Sequence, residues 1–341
     1  MMGSSLGHTA QGRVVLALLP VTAGLLVLRR CRRARFGAAP VRLCPGSAAH
    51  QCWIAGMRAF IFDIDGVIHV AGTPVKGAAE TLASLRAAGK KVIFMTNNAT
   101  KTPDDVIEAF AKMGIAAEAD EVMTSAVAAA DFLESRGLRG KAVYVAGMAA
   151  LAQALSERAG VRTFGADADA RKTREDAVRD FLPALEPPAD VVAAVVVGAD
   201  FDFNYYKLTR AANYLRQNPQ CLFVATNPDP RALLGPGTIV PAAGSMVAAV
   251  AEAAGRGPDV VCGKPSTSLA RQILAGRGMD PTATCMVGDR TDTDVEFGRS
   301  AGMHTLFVES GTMTEAEART AAPSQRPDFI ATSIATLREL L

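Results

Sequence analysis

Short apolar runs recur along this chain, and four of them break off into polar residues that carry chemistry. The sharpest is Phe60-Ile61-Phe62-Asp63-Ile64-Asp65-Gly66-Val67. A continuous run rich in Phe and Ile, too short for a helix, reads as a strand buried on both faces. Its two carboxylates then stand at the C-terminal end of the strand, where open α/β sheets place their ligands. Gly66 permits a sharp turn and lets backbone N–H groups approach a bound group. Two ionised carboxylates this close repel each other, so the site needs a cation, a shared proton or strong hydrogen bonding. A solvated turn after a strand is the plainer alternative.

The pattern returns three times. Lys91 to Met95 leads to Thr96-Asn97-Asn98, Asp259 to Cys262 leads to Gly263-Lys264-Pro265-Ser266, and Thr284 to Val287 leads to Gly288-Asp289-Arg290-Thr291-Asp292-Thr293-Asp294. Helical patterns lie between the runs. One spans Gly77 to Ala88 and stops at Gly89; another opens on a Thr102 cap, Pro103 and the acidic pair Asp104 and Asp105. Alternating strands and helices predict an α/β fold with a doubly wound parallel sheet. Residues 57–137 and 246–341 read as the core domain. Residues 138–245 are long enough to form a second α/β domain inserted in the first. Within that block, Gly165 to Pro188 is charged and weakly periodic and reads as a surface excursion. The Pro- and Gly-rich loop Thr226 to Ala243 has a length usually reserved for function.

If the four strands are neighbours, their ends share one edge. They would gather Asp63, Asp65, Thr96, Asn97, Lys264, Asp289 and Asp294. Carboxylates with waters suit Mg²⁺, and a lysine with a threonine suits a phosphate. Lys264 alone would read as a solvated surface residue, Thr96 as a helix cap, and Asp289 with Asp294 as caps of the next helix. Asp292 reads as a solvated turn residue.

Composition excludes other classes. The 341 residues carry a net charge of +2, and no long basic run follows residue 60, so nucleic acid is not suggested. The six cysteines show no metal-ligand spacing, and Cys221, Cys262 and Cys285 sit among apolar neighbours and read as buried thiols. The first 56 residues stand apart. Val14 to Leu28 is a nearly unbroken apolar run of 15, an Arg-rich stretch follows, and no Asp or Glu precedes Asp63. That is short for a membrane span and suits a targeting leader, expected to be cleaved or disordered. A short membrane anchor is the alternative, so membrane association is expected only if the leader is retained.

The motifs Asp63-Ile64-Asp65-Gly66, Thr96-Asn97-Asn98, Gly263-Lys264-Pro265 and Gly288-Asp289…Asp294 resemble those of the haloacid dehalogenase superfamily. The longer wording, including Met95 to Lys101, Asn204 to Leu208 and Cys221 to Asn227, resembles plant and algal phosphoglycolate phosphatases and the related pyridoxal phosphate and p-nitrophenyl phosphatases. The likeness covers about residues 57–341. It implies an Mg²⁺-dependent phosphatase acting on a small phosphate monoester, 2-phosphoglycolate first and pyridoxal phosphate or p-nitrophenyl phosphate as alternatives. Asp63 would be the nucleophile and Asp65 the general acid and base. Mg²⁺ would be held by Asp63, the backbone carbonyl of Asp65 and Asp289, with Asp294 behind them. Gly66, Thr96, Asn97 and Lys264 would hold phosphoryl oxygens. Arg231 lies where such proteins keep a specificity loop and would pair with a substrate carboxylate; a surface arginine is the alternative. His69 and His304 receive no role, having no acidic partner nearby in sequence. The inserted block 138–245 would be the family's cap, closing over the substrate; members often pair through it, so a homodimer is expected. A plastid destination would suit photorespiration, with mitochondrial, cytoplasmic or secretory destinations as alternatives. A catalytically silent binding protein of the same fold would be expected to lose one of the four motifs, and none is lost.

Overall fold

The structure is a computed structural model that describes residues 39–181, 185–233 and 238–341. Two parallel sheets organise it. Strands β1 (Val41–Arg42), β2 (Ala59–Asp63), β3 (Lys91–Thr96) and β4 (Val122–Thr124) belong to the first sheet. The chain then builds the second from β5 (Ala142–Ala146), β6 (Arg162–Gly165), β7 (Val192–Val197), β8 (Leu222–Ala225) and β9 (Val260–Val261). It returns to the first sheet with β10 (Thr284–Gly288), β11 (His304–Val308) and β12 (Phe329–Ala331). The first sheet has the order β1-β12-β11-β10-β2-β3-β4, and the second has β9-β8-β7-β5-β6. All pairings in both are parallel.

The order explains where the site falls. From β2 the chain winds outward through β3 and β4, and after the insertion it winds the other way through β10, β11 and β12. The direction therefore reverses between β2 and β10, and the crevice beyond their C-terminal ends is the position open sheets use for ligands. Every residue of β2 is buried, as expected for a strand covered on both faces. Phe60 and Phe62 pack with Phe94 and Phe110 on one side. Ile61, Ile93 and Met286 face the other side, in a cluster that runs through Leu133, Leu151 and Leu155 to Val143 and Val145 of the second sheet. The two sheets are thus joined by continuous apolar packing.

Local signals act as read. Thr102 caps the helix Pro103–Lys112 in a capping box with Asp105. Gly77, at φ +82°, opens the helix Ala78–Ala87.

Two expectations need correction. Residues 41–56 are not outside the fold. Val41 and Arg42 pair with Phe329 and Ile330 at the sheet edge. The helix Ala48–Gly56 buries Trp53 and Ile54, and the Trp53 ring lies 4.4 Å from that of Phe329. A two-residue strand and one Trp are too short to show as periodicity, yet they cover an otherwise open edge. The apolar run Val14 to Leu28 lies outside the described residues. The second correction concerns the end of the insertion. Helix Ala243–Ala254 packs on helix Tyr205–Gln217, and β9 pairs with β8, so the second sheet extends to Val261 rather than closing at residue 245. Periodicity shows that Val260 is in a strand but not which sheet it joins. The charged stretch 165–188 lies at the surface where described, with Arg174, Glu175, Val178 and Arg179 exposed, and carries a regular helix, Arg174–Phe181, held at its start by reciprocal bonds between Thr173 and Asp176. The loop after residue 226 also carries a small hairpin, Arg231–Leu233 with Ile239–Pro241. Among the described residues no helix is long and apolar enough to cross a membrane.

Candidate active site

Asp63 is the last residue of β2, and Asp289 follows directly on β10. One turn of π-helix, Thr291–Val295, then swings Asp294 back beneath the strand ends; such wide turns are frequent at functional sites. Carboxylate oxygens of Asp63, Asp289 and Asp294 all lie within 4.8 Å of one another. Lys264 enters from the connection between the sheets. Its Nζ donates to Asp294 Oδ1 at 2.6 Å and to Asp63 Oδ1. All four side chains are buried. Asp65, by contrast, is 63% exposed at the mouth of the crevice.

Glycines make the cluster possible. A Cβ on Gly66 would lie 2.6 Å from Asp289 Oδ2, and one on Gly311 would lie 2.0 Å from the same oxygen. That oxygen accepts from the Thr312 N–H at 2.7 Å and from its hydroxyl at 2.9 Å. The Ser310 hydroxyl donates to the Gly66 carbonyl at 2.7 Å. The Ser310–Thr312 loop therefore holds the turn after β2 and the carboxylate together.

Asn97 is the hub on the other side. Its Oδ1 accepts from the Lys264 N–H at 2.8 Å, and its Nδ2 donates to the Lys264 carbonyl at 3.0 Å and to Asp229 Oδ2 at 2.8 Å. Asp229 also pairs with Arg290 at 2.9 Å, and the Asn227 amide donates to the Asn97 carbonyl at 2.6 Å. Thr96 is buried, and its hydroxyl accepts from the Asn98 N–H at 3.0 Å. It caps a turn, not a helix.

Electrostatics follow from this crowding. Burial pushes the Asp63 carboxyl well above the ordinary range; Lys264 opposes the shift, and Asp294, Asp289 and Asp65 add to it. Burial, reinforced by Asp294, raises Asp289 to about 6 even though the Thr312 bonds act the other way. Burial works to lower Lys264, but Asp294 and Asp63 outweigh it and leave the ammonium above its usual value. Three buried carboxylates face one buried ammonium. That excess of negative charge, offered by hard oxygen donors alone, fits a divalent cation.

The structure thus brings Asp63, Gly66, Thr96, Asn97, Lys264, Asp289 and Asp294 to one crevice, with Asp65 at its rim. Arg231 is exposed on the small hairpin, and among the described residues no hydrogen bond or ion pair engages its guanidinium. Asp292 is partly exposed and makes two bonds to Arg290, at 3.1 and 2.8 Å. His69 does have an acidic neighbour, Asp65, four residues back. Sequence reading missed Asp229, Arg290 and Thr312. Asn227-Pro228-Asp229 was visible as a polar turn, but nothing in it pointed to Asn97, 132 positions away. Cys221, Cys262 and Cys285 are buried free thiols.

Comparison with known proteins agrees with this geometry. A haloacid dehalogenase-like hydrolase family model matches residues 60–161, and a HAD-hydrolase-like model matches residues 261–337. The chain is 38% identical over 282 residues to phosphoglycolate phosphatase 1A, chloroplastic, of Arabidopsis thaliana, covering 82% of this chain and 76% of that one. It is 37% identical to the glycerol-3-phosphate phosphatase of Homo sapiens, covering 84% and 92%. Among solved structures, a p-nitrophenyl phosphatase from Archaeoglobus fulgidus aligns with a TM-score of 0.71 at 28% identity, over 84% of this chain and 99% of that one. A glycerol phosphate phosphatase from Mycobacterium tuberculosis, in complex with magnesium, aligns with a TM-score of 0.69 at 30% identity, over 83% and 77%.

Proposed function

The chain belongs to the haloacid dehalogenase-like hydrolases and is a phosphatase, and on that premise we propose that it hydrolyses 2-phosphoglycolate through an aspartyl-phosphate on Asp63. The observation that carries the mechanism is the meeting of Asp63 with Lys264, Asp289 and Asp294 at the reversal point of the sheet. A carboxylate oxygen of Asp63 attacks phosphorus and forms a new P–O bond as the bond to the ester oxygen breaks. Asp65 gives its proton to the departing alkoxide, then takes one from the water that cleaves the aspartyl-phosphate. Asp63 leaves with its carboxylate restored, and inorganic phosphate departs. Lys264 and the backbone around Asn97, with the Thr96 hydroxyl and the turn at Gly66, hold the phosphoryl oxygens.

Mg²⁺ fits the site, with Asp63, the Asp65 carbonyl and Asp289 to hold it and Asp294 supporting them. When bound it supplies the positive charge that lets one anion approach another. Asp229 joins the second sheet's loop to Asn97 and to Arg290, so the cap is coupled to the phosphate-binding turn.

The substrate reading rests on the identity to the plant phosphatase and on Arg231, whose exposed guanidinium suits a carboxylate. The likeness to the human glycerol-3-phosphate phosphatase favours a second reading, with that ester as substrate. We further propose that the N-terminal stretch with the apolar run Val14 to Leu28 and the arginines after it is a leader that addresses a plastid, in keeping with the chloroplastic relative of Arabidopsis thaliana, and that the protein is a homodimer. The deciding experiment is phosphate release with Mg²⁺ from 2-phosphoglycolate, glycerol 3-phosphate and pyridoxal phosphate side by side. Preference for 2-phosphoglycolate supports the first reading, and preference for either of the others replaces it while keeping the chemistry.

A further inference from the structure

Asp65 is the odd member of the site. It must aim at the leaving group, yet its side chain is largely exposed, and among the described residues no hydrogen bond holds it. A carboxyl free to rotate in water delivers a proton poorly, because transfer needs a defined geometry at hydrogen-bond reach. Four residues on, His69 is fixed by the backbone. Its carbonyl accepts from the Gly66 N–H at 2.7 Å, and its own N–H donates to the Ile64 carbonyl at 3.3 Å. A short antiparallel pairing with Pro74 fixes it further. The imidazole is 15% exposed, and among the described residues its buried Nδ1 has no hydrogen-bond partner. That nitrogen lies 3.8 Å from Asp65 Oδ1. Both residues line a small cavity of about 40 Å³ together with Thr96, Asn98 and Lys101.

We propose that His69 is a positioning residue that orients the Asp65 carboxyl towards the leaving-group oxygen. A buried nitrogen without a partner carries a desolvation penalty that one nearby acceptor relieves. The gap is too long for a hydrogen bond in the free protein and closes when substrate covers the mouth, as catalytic bonds commonly tighten on binding. Donation from Nδ1–H to one oxygen leaves the other to carry the proton to the alkoxide and, in the second half, to receive one from water. The ring itself gains and loses no proton in the cycle.

This rests on the reading of Asp65 as general acid, and the test separates the two. An alkyl phosphate needs its leaving oxygen protonated; p-nitrophenolate leaves without help. We therefore compare kcat/KM on the alkyl ester that the wild type hydrolyses best with kcat/KM on p-nitrophenyl phosphate. His69→Phe keeps the ring bulk without the donor, His69→Asn restores a donor near the Nδ1 position, and His69→Gln carries its amide one carbon too far. Loss of alignment in His69→Phe and His69→Gln is expected to lower kcat/KM for the alkyl ester on the order of tenfold, with a much smaller change on p-nitrophenyl phosphate. His69→Asn recovers most of the loss. Equal losses on both substrates, or no loss on either, would overturn the assignment. Asp65→Asn is the control. If it too fails to discriminate between the substrates, the general-acid reading falls; if it discriminates and the His69 variants do not, only the role of His69 falls.

Discussion

Among the described residues two lysines are buried against carboxylates, one beside each sheet, and they differ in balance. Beside the second sheet Lys207, from the first turn of helix Tyr205–Gln217, meets Asp200 at 2.7 Å, and both are almost wholly buried. Asp200 Oδ1 also accepts from the Asp202 N–H at 3.0 Å, and the Asn204 side chain caps the helix at the Lys207 N–H. One charge answers one charge, and the loop after β7 is tied down. At the reversal point of the first sheet, Lys264 faces three carboxylates. That cluster carries an excess of buried negative charge, which suits a cation. Burial alone therefore does not mark function; a buried imbalance of charge does.

Variants can break this comparison. The largest effect is expected from Asp63→Asn, which should reduce turnover by more than about a thousandfold because the nucleophile is lost. The protein should still fold, since the change removes like-charge repulsion; loss of the cooperative unfolding transition would contradict that. Lys207→Met should do the reverse. It strands a buried carboxylate and should cost about 3–5 kcal/mol in denaturant unfolding, with kcat per folded molecule unchanged. A drop in kcat without a drop in stability would show that the balanced pair serves catalysis.

Metal addition sharpens the contrast further. Mg²⁺ at a hundredfold excess over its Kd should stabilise the wild type by about 2.7 kcal/mol. Asp289→Asn should lose most of that gain, and Lys207→Met should keep it in full. The smallest effect is expected at the exposed Arg231. Arg231→Ala should raise KM for 2-phosphoglycolate about tenfold, the value of one charge-assisted contact, and leave KM for p-nitrophenyl phosphate unchanged. Equal effects on both substrates would remove Arg231 from carboxylate recognition.

The unbalanced cluster was legible in the sequence because strand ends announce themselves. Phe60 to Asp63 and Thr284 to Asp289 each run from apolar to acidic residues, and parallel topology forces such ends onto one edge. The balanced pair was not legible, because Asp200 and Lys207 look like an ordinary loop and helix start, and nothing local reports burial. Asp229, Arg290 and Thr312 were hidden for a related reason: each meets its partner across a long sequence separation. The edge strand Val41–Arg42 was missed because two residues show no period. The placement of Val260 in the second sheet was missed because pairing partners are a property of the assembled fold.

The most direct test is acid quenching of the full chain during turnover of 2-phosphoglycolate with Mg²⁺, followed by mass spectrometry of its peptides. The account predicts a phosphoryl adduct on the peptide that contains Asp63, abolished in Asp63→Asn together with phosphate release. Phosphate release that persists undiminished in Asp63→Asn, with no adduct on that peptide in the wild type, would contradict it.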